Sequence, residues 1–177
     1  MEKDGYSEEE IEALIASTER ALIRFAVRYL GDRADACDAV QSAYIRYVRF
    51  LQGPPPGVVR NPAAWLFRTT RNICLDVLKS ARMRLTTPLE EAQRCDFRAA
   101  VPGSDDALLA RDDLKLVRSV FETLSGRERE IAVLKIEHGK SYREIAEITN
   151  LTVSNVGFIL HGAMKKLRSG CKEKGLL

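Results

Sequence analysis

Residues 141–167 read SYREIAEITNLTVSNVGFILHGAMKKL, from Ser141 to Leu167, and their spacing decides how this end of the chain folds. Ser141 followed by Glu144 is a capping box, in which a hydroxyl and a carboxylate satisfy the free amides of a helix start. Ile145, Ala146 and Ile148 form the inward side of a short first helix, and Ala146 is small where a second helix must approach. Asn150 stands where the turn wants a left-handed residue, a conformation Asn tolerates better than other non-glycine residues. Thr152 is placed to cap the second helix. At about 100° per residue, Val153, Val156, Leu160, Met164 and Leu167 share an inward stripe, opposite Ser154, Asn155, Phe158, His161 and Lys165. The pattern is a helix-turn-helix. Short polar residues at the N-terminal end of its second helix suit base edges in a DNA major groove. Two amphipathic helices with a merely solvated face would explain neither the turn, nor the basic tail Lys165, Lys166 and Arg168, nor an exposed Phe158.

Working outward, nearly every periodic segment is helical. Ser7 with Glu10 and Ser125 with Glu128 are two more capping boxes. The first opens a helix with Ile11, Leu14, Ile15, Leu22, Phe25 and Leu30 at helical spacing, ended by Gly31-Asp32. A second helix is expected from about Ala34 to Leu51, with Ala39, Val40, Ala43, Tyr44 and Val48 inward. Gln52-Gly-Pro-Pro-Pro-Gly57 is a stiff loop, because its prolines fix φ and remove donors. Asn61-Pro62 restarts a helix with an N-cap and a first-position proline, and it runs to about Arg84. On it Arg68, Arg71, Lys79 and Arg82 fall on one side with Asn72 among them and Asp76 at their edge, opposite Leu66, Ile73, Cys74 and Val77. Cations would hold a phosphate backbone there, while Asn72 and Asp76 read bases. Trp65 lies near the boundary of that stripe, where packing is favoured over base stacking.

Periodicity disappears from Leu85 to Ser104, a length without structure that is unusual inside one domain. The expected fold is therefore all-α, with two small helical domains at 1–84 and 105–177 joined by a flexible linker over 85–104. The second domain begins near Asp105, with Leu108, Leu109, Leu114, Val117, Val120 and Phe121 on one helix.

The 177 residues are 45% hydrophobic and 30% charged, enough apolar material for two cores under a polar surface. The net charge of +3 is unevenly spread: −3 over 1–52, +5 over 53–84, −3 over 85–112 and +4 over 113–177. Two basic blocks separated by an acidic segment suit two contacts with a polyanion. No secretory signal or membrane span is expected. Cys37, Cys74, Cys95 and Cys171 form no CxxC pair, and with only His138 and His161 beside them no metal or other cofactor is expected. They read as small hydrophobes in a reducing cytoplasm. The chain also lacks a nucleophile–base set and a phosphate-cradling glycine loop, so it is not expected to be an enzyme.

Four stretches carry a resemblance that covers most of the chain. Tyr29-Leu-Gly-Asp-Arg33 with Asp38-Ala-Val-Gln41, Asn61-Pro-Ala-Ala-Trp-Leu-Phe-Arg68 through Asn72 and Asp76, Leu124-Ser-Gly-Arg-Glu-Arg-Glu-Ile131, and the final helix-turn-helix stand in the order found in the extracytoplasmic-function sigma factors of bacterial RNA polymerase. The resemblance implies that 1–84 binds core polymerase and reads and opens the −10 element, and that 105–177 reads the −35 element. It implies that Asp38, Gln41, Tyr44 and Ile45 face the core enzyme, and that Arg60, Arg68, Arg71, Asn72, Asp76, Lys79 and Arg82 meet the −10 DNA. The loop 52–60 would take up a flipped base. Arg143, Thr152, Ser154, Asn155, Phe158, His161, Lys165 and Lys166 would meet the −35 DNA. The acidic linker would thread toward the RNA exit path. Partners implied are the polymerase clamp helices and flap, promoter DNA and an anti-sigma protein. The chain departs from the family pattern at Gly157, Phe158, Ile159 and Gly162, where Lys, Ser, Arg and Arg are common, and at Ala39 and Ser42 of the clamp-binding stretch. A stand-alone helix-turn-helix regulator with a sensing or dimerising N-terminal domain is the alternative.

Overall fold

Among the described residues, each helix start with a capping signal in the sequence is closed by its own side chain. A computed structural model of the chain describes residues 7–53, 59–84, 97 and 118–175, of which the side chains of 82–84 are not described. Ser7, Ser125 and Ser141 each accept from the amide of the Glu three residues on, and that Glu accepts from the serine amide in return, at 2.8–3.3 Å. The boxes open α1 (Glu8–Leu30), α5 (Gly126–Ile136) and α6 (Tyr142–Thr149). Asp32 caps α2 (Arg33–Gln52), accepting from the amides of Ala34 and Asp35, and Asn61 caps α3 (Pro62–Arg84), accepting from Ala64 at 3.0 Å. A helical stretch over 118–122 is α4, and α7 is Val153–Glu173. Among the described residues there is no strand. They fall into two compact units, one built on α1–α3 and one on α4, α5 and α7.

In the first unit each of the three helices packs on both others. Leu22, Phe25, Ala26 and Tyr29 of α1 are buried, spaced as one helical face requires. Ala36, Ala39, Val40, Ala43 and Tyr47 of α2 are buried too, and the alanines let the helix axes come close. The Phe25 ring lies 5.2 Å from Phe67 of α3 and edge-on to Tyr29 at 5.4 Å. Burial pushes the Cys74 thiol up to about 12, so it stays protonated and unreactive at neutral pH. The Thr70 hydroxyl is fully buried and bonds to nothing. Thr70→Val keeps the shape and removes the stranded group. It should stabilise the unit by about 1 kcal/mol in urea unfolding followed by Trp65 fluorescence, and a loss of stability would show that the hydroxyl has a partner.

In the second unit Val120, Leu124, Ala132, Ala163 and Leu167 form one buried cluster, with Phe121, Met164 and Cys171 packed against it. Gly170 of α7 touches α4 so closely that a Cβ there would stand 2.9 Å from Val120 Cγ1. α6 ends at Asn150, whose φ of 57° and ψ of 43° are left-handed, and the Leu151 amide closes the turn on the Ala146 carbonyl at 3.0 Å. Thr152 then caps α7 by accepting from the Asn155 amide at 3.2 Å. The expected helix-turn-helix is thus present with its turn and cap. Of the inward stripe on α7, Val156, Leu160 and Leu167 are buried and Met164 half-buried, but Val153 is exposed, because as the first helical residue it lies at the open end.

The prolines 54–56, Cys95, most of the 85–104 linker and the apolar positions 108–117 lie outside the described residues. Phe97, inside that linker, is fully buried, and its carbonyl accepts from Arg129 of α5 at 2.7 Å. At that one described residue the linker is held by the second unit.

Candidate functional site

On α3, Arg68, Asn72, Asp76 and Lys79 are exposed at spacings of four, four and three residues, a continuous stripe along one helix face. Arg60 is exposed just before the helix begins. Arg71 is not on this face: it is only 8% exposed, four residues after buried Phe67 and three before buried Cys74, so helical periodicity turns it into the core side. The Arg82 side chain lies outside the description. Val77, expected inward, is exposed because the buried part of α3 ends at Cys74. Trp65 is half-buried against Tyr47 and Phe50, with ring centroids at 5.3 and 5.8 Å, as packing rather than base stacking requires.

On α2, Asp38, Gln41 and Ile45 are exposed on one face, and Ile45 keeps 52% of its surface in solvent. Tyr44 does not share that face freely. Its hydroxyl meets Thr18 Oγ1 at 2.9 Å and the Ile15 carbonyl at 3.4 Å, so the ring ties α2 to α1, and burial pushes its phenol above the ordinary value. Helical periodicity places Tyr44 inward, as it is found; the hydroxyl bond that ties it to α1 is what periodicity does not reveal.

On the helix-turn-helix, Arg143, Ser154, Asn155, His161 and Lys165 are exposed, and Phe158 is 80% exposed. Thr152 is exposed but its hydroxyl is engaged as the cap. Lys166 is exposed too and turns back to Glu128, donating to both carboxylate oxygens at 2.8 and 2.9 Å. Burial raises the Glu128 carboxyl, but the bonds from Lys166 and Ser125 outweigh it and hold the group below its ordinary value. The pair fastens the start of α5 to α7, and the long Lys side chain makes that return possible.

Arg129 escaped the sequence reading. Its guanidinium donates to the carbonyls of Phe121 at 3.0 Å, Phe97 at 2.7 Å, Glu122 at 3.3 Å and Leu124 at 2.9 Å. Those of Phe121, Glu122 and Leu124 cluster at the C-terminal end of α4, where the Phe121 carbonyl also accepts from the Leu124 amide at 3.2 Å. The only signal was a long cationic donor placed one turn after an N-cap, directly following another helix end.

Among the described residues no group of three or more His, Cys, Asp or Glu could hold a metal ion, and no helix is long and apolar enough to cross a membrane. The exposed chemistry consists of cations, amides and a few carboxylates on helix faces.

Two family models match the chain, Sigma-70 region 2 over residues 14–84 and Sigma-70, region 4 over residues 114–167. The chain is 32% identical over 149 residues to a probable ECF RNA polymerase sigma factor, SigI of Mycobacterium tuberculosis, covering 82% of this chain and 50% of that protein. It is 31% identical over 157 residues to the ECF RNA polymerase sigma factor SigL of the same species, covering 88% of this chain and 85% of that one. It thus spans half the length of the first relative and most of the second. In fold it is similar to the sigma factor RpoE of Bartonella quintana, solved in complex with the anti-sigma factor NepR, with a TM-score of 0.69, 19% identity and coverage of 93% and 98%. It is also similar to CnrH, solved in complex with the cytosolic domain of CnrY, with a TM-score of 0.59, 24% identity and coverage of 92% and 88%. These last two likenesses concern the fold alone.

Proposed function

The chain belongs to the extracytoplasmic-function RNA polymerase sigma factors of the sigma-70 family, and from that membership we propose that it directs core RNA polymerase to specific promoters and promotes strand opening there. The observation that carries the reading is the exposed stripe Arg68, Asn72, Asp76 and Lys79 on a helix whose other face is core. Cations on such a stripe hold phosphates, and an amide with a carboxylate can hydrogen-bond the edges of bases lifted out of a duplex. Arg60 extends the face toward the loop 52–60, which would take up the flipped base.

In this reading residues 1–84 bind the polymerase clamp helices through Asp38, Gln41 and Ile45 and read the −10 element. Residues 105–177 read the −35 element and meet the flap, and 85–104 connects them. The protein changes no bond itself; the polymerase does the chemistry, in the cytoplasm. That RpoE was solved with an anti-sigma protein supports proposing a partner of that kind here as well.

Run-off transcription tests the proposal. The full chain with core polymerase is expected to start transcription at promoters where neither starts alone; binding of promoter DNA without any binding of core would overturn it. In the same assay Asn72→Ala should reduce promoter opening about ten-fold while duplex binding changes little, because extruding a base needs a few kcal/mol from the pocket that receives it. Equal losses in both would remove Asn72 from that role.

A further inference from the structure

Phe158 is the most exposed of the large apolar side chains among the described residues. It sits on α7 one turn after Ser154 and three residues before His161, on a stripe that continues through Lys165, Arg168 and Lys172, all exposed. Gly157 and Gly162 lie on either side of it around the helix, and internal packing explains neither. A Cβ at Gly157 would meet only Tyr142 Cε2 at 3.8 Å, and one at Gly162 only Glu128 Oε1 at 3.9 Å, both ordinary contacts. Neither glycine has a positive φ. Glycine is a poor residue for a helix interior, so two of them without a reason inside the fold point to a surface that must come close to the helix backbone.

The charge says what that surface is. α7 has no acidic residue in its first turn, and its one carboxylate, Glu173, is at the far end. A run of cations beyond an apolar tip suits a polyanion, whereas an apolar protein surface would not call for it. Residues 153–163 also contain no Lys or Arg. The bidentate contacts by which guanine is most often read are therefore missing from the part of the helix that enters a groove. Of the exposed side chains there, Ser154 and His161 are compatible with several bases, whereas the Asn155 amide matches adenine and the Phe158 ring matches the C5-methyl of thymine.

We propose that Phe158, set between Gly157 and Gly162, is a specificity residue that reads thymine methyl groups in the major groove of an A·T-containing upstream promoter element. The inference rests on the reading of 105–177 as the upstream DNA-binding module. The glycines let the helix backbone approach the duplex closely enough for the ring to reach the methyls.

The test uses the full chain with core polymerase and a promoter library randomised upstream, made in two forms. One carries thymine in the upstream element and the other uracil, which pairs identically but lacks the methyl; the downstream part keeps thymine in both. Selection from the first library should enrich thymine at one or two upstream positions. Replacing each by uracil should lower transcription about four-fold, the effect of one buried methyl-sized group. With Phe158→Ser the two forms should perform alike. Gly157→Ala and Gly162→Ala should raise the thermal midpoint while weakening dependence on the upstream element, a combination that a purely structural role cannot produce. Uracil acting as well as thymine with the unaltered chain would overturn the proposal and would leave a protein partner as the occupant of Phe158. Glycine variants that transcribe unchanged would overturn it as well. Transcription without methyl dependence sinks this inference alone; no transcription from any member of the library sinks the sigma-factor reading and this one with it.

Discussion

Ile45→Glu is expected to weaken association with core RNA polymerase at least about 30-fold while leaving the helical fold intact, since a central apolar contact of an interface is commonly worth about 2 kcal/mol or more. The isoleucine lies on the outer face of α2 beside Asp38 and Gln41 and is half in solvent, so the fold loses little when it changes. A carboxylate there sits one turn before Arg49, an arrangement that supports a helix. Against a protein surface the same carboxylate loses its water and finds no partner prepared for it. Fluorescence anisotropy of labelled protein titrated with core enzyme measures the loss, and circular dichroism checks the fold. Unchanged association with the fold retained would show that this face of α2 is not the docking surface. The neighbouring Tyr44 makes a useful contrast. Tyr44→Phe breaks the bond to Thr18 and so acts on stability rather than on docking.

Arg129→Met carries the largest expected effect on stability, about 3 kcal/mol from the second unit. A single hydrogen bond to a charged group contributes about 1.5–3 kcal/mol, and here four bonds from one guanidinium are lost together, though such losses do not simply add and the Phe121 carbonyl keeps the Leu124 amide. Arg129→Lys should recover only part, because an ammonium cannot present the planar fork that spans the end of α4 and the Phe97 carbonyl. The chain has one tryptophan, Trp65, and it lies in the first unit. Unfolding by circular dichroism should therefore shift to lower urea while the Trp65 fluorescence transition stays in place. Neither transition moving would mean that the four bonds are worth little to the fold.

Much of this molecule was legible before any coordinates. Three capping boxes, the Asn61-Pro62 start, the left-handed Asn150 and the Thr152 cap all appear where the residues place them. The exposed stripe Arg68, Asn72, Asp76 and Lys79 on α3 was legible as well; Arg71 was not, and the Arg82 side chain lies outside the described residues. Signals of this kind act within about four residues, between a side chain and backbone amides one turn away, so the local sequence contains both partners.

What the local sequence left open has a different physical origin. Arg71, Val77 and Val153 stand at the edges or ends of helical stripes, where a small rotation or the length of the neighbouring helix decides what is covered. Tyr44 and Lys166 have side chains long enough to reach another helix, and their partners Thr18 and Glu128 lie 26 and 38 residues away. Phe97 and Arg129 are 32 residues apart, and the Glu130 side chain is fully buried, for which no local pattern gives notice. Nor does any pattern reveal that Gly157 and Gly162 have room for a side chain.

By itself the sequence determined the helices, their caps, the helix-turn-helix and the family, because each depends on residues close together in the chain. Only the tertiary structure decided which polar groups remain outside on the helix faces. That choice is made where helices pack, by which long side chains find a partner across the interface and which are left in water.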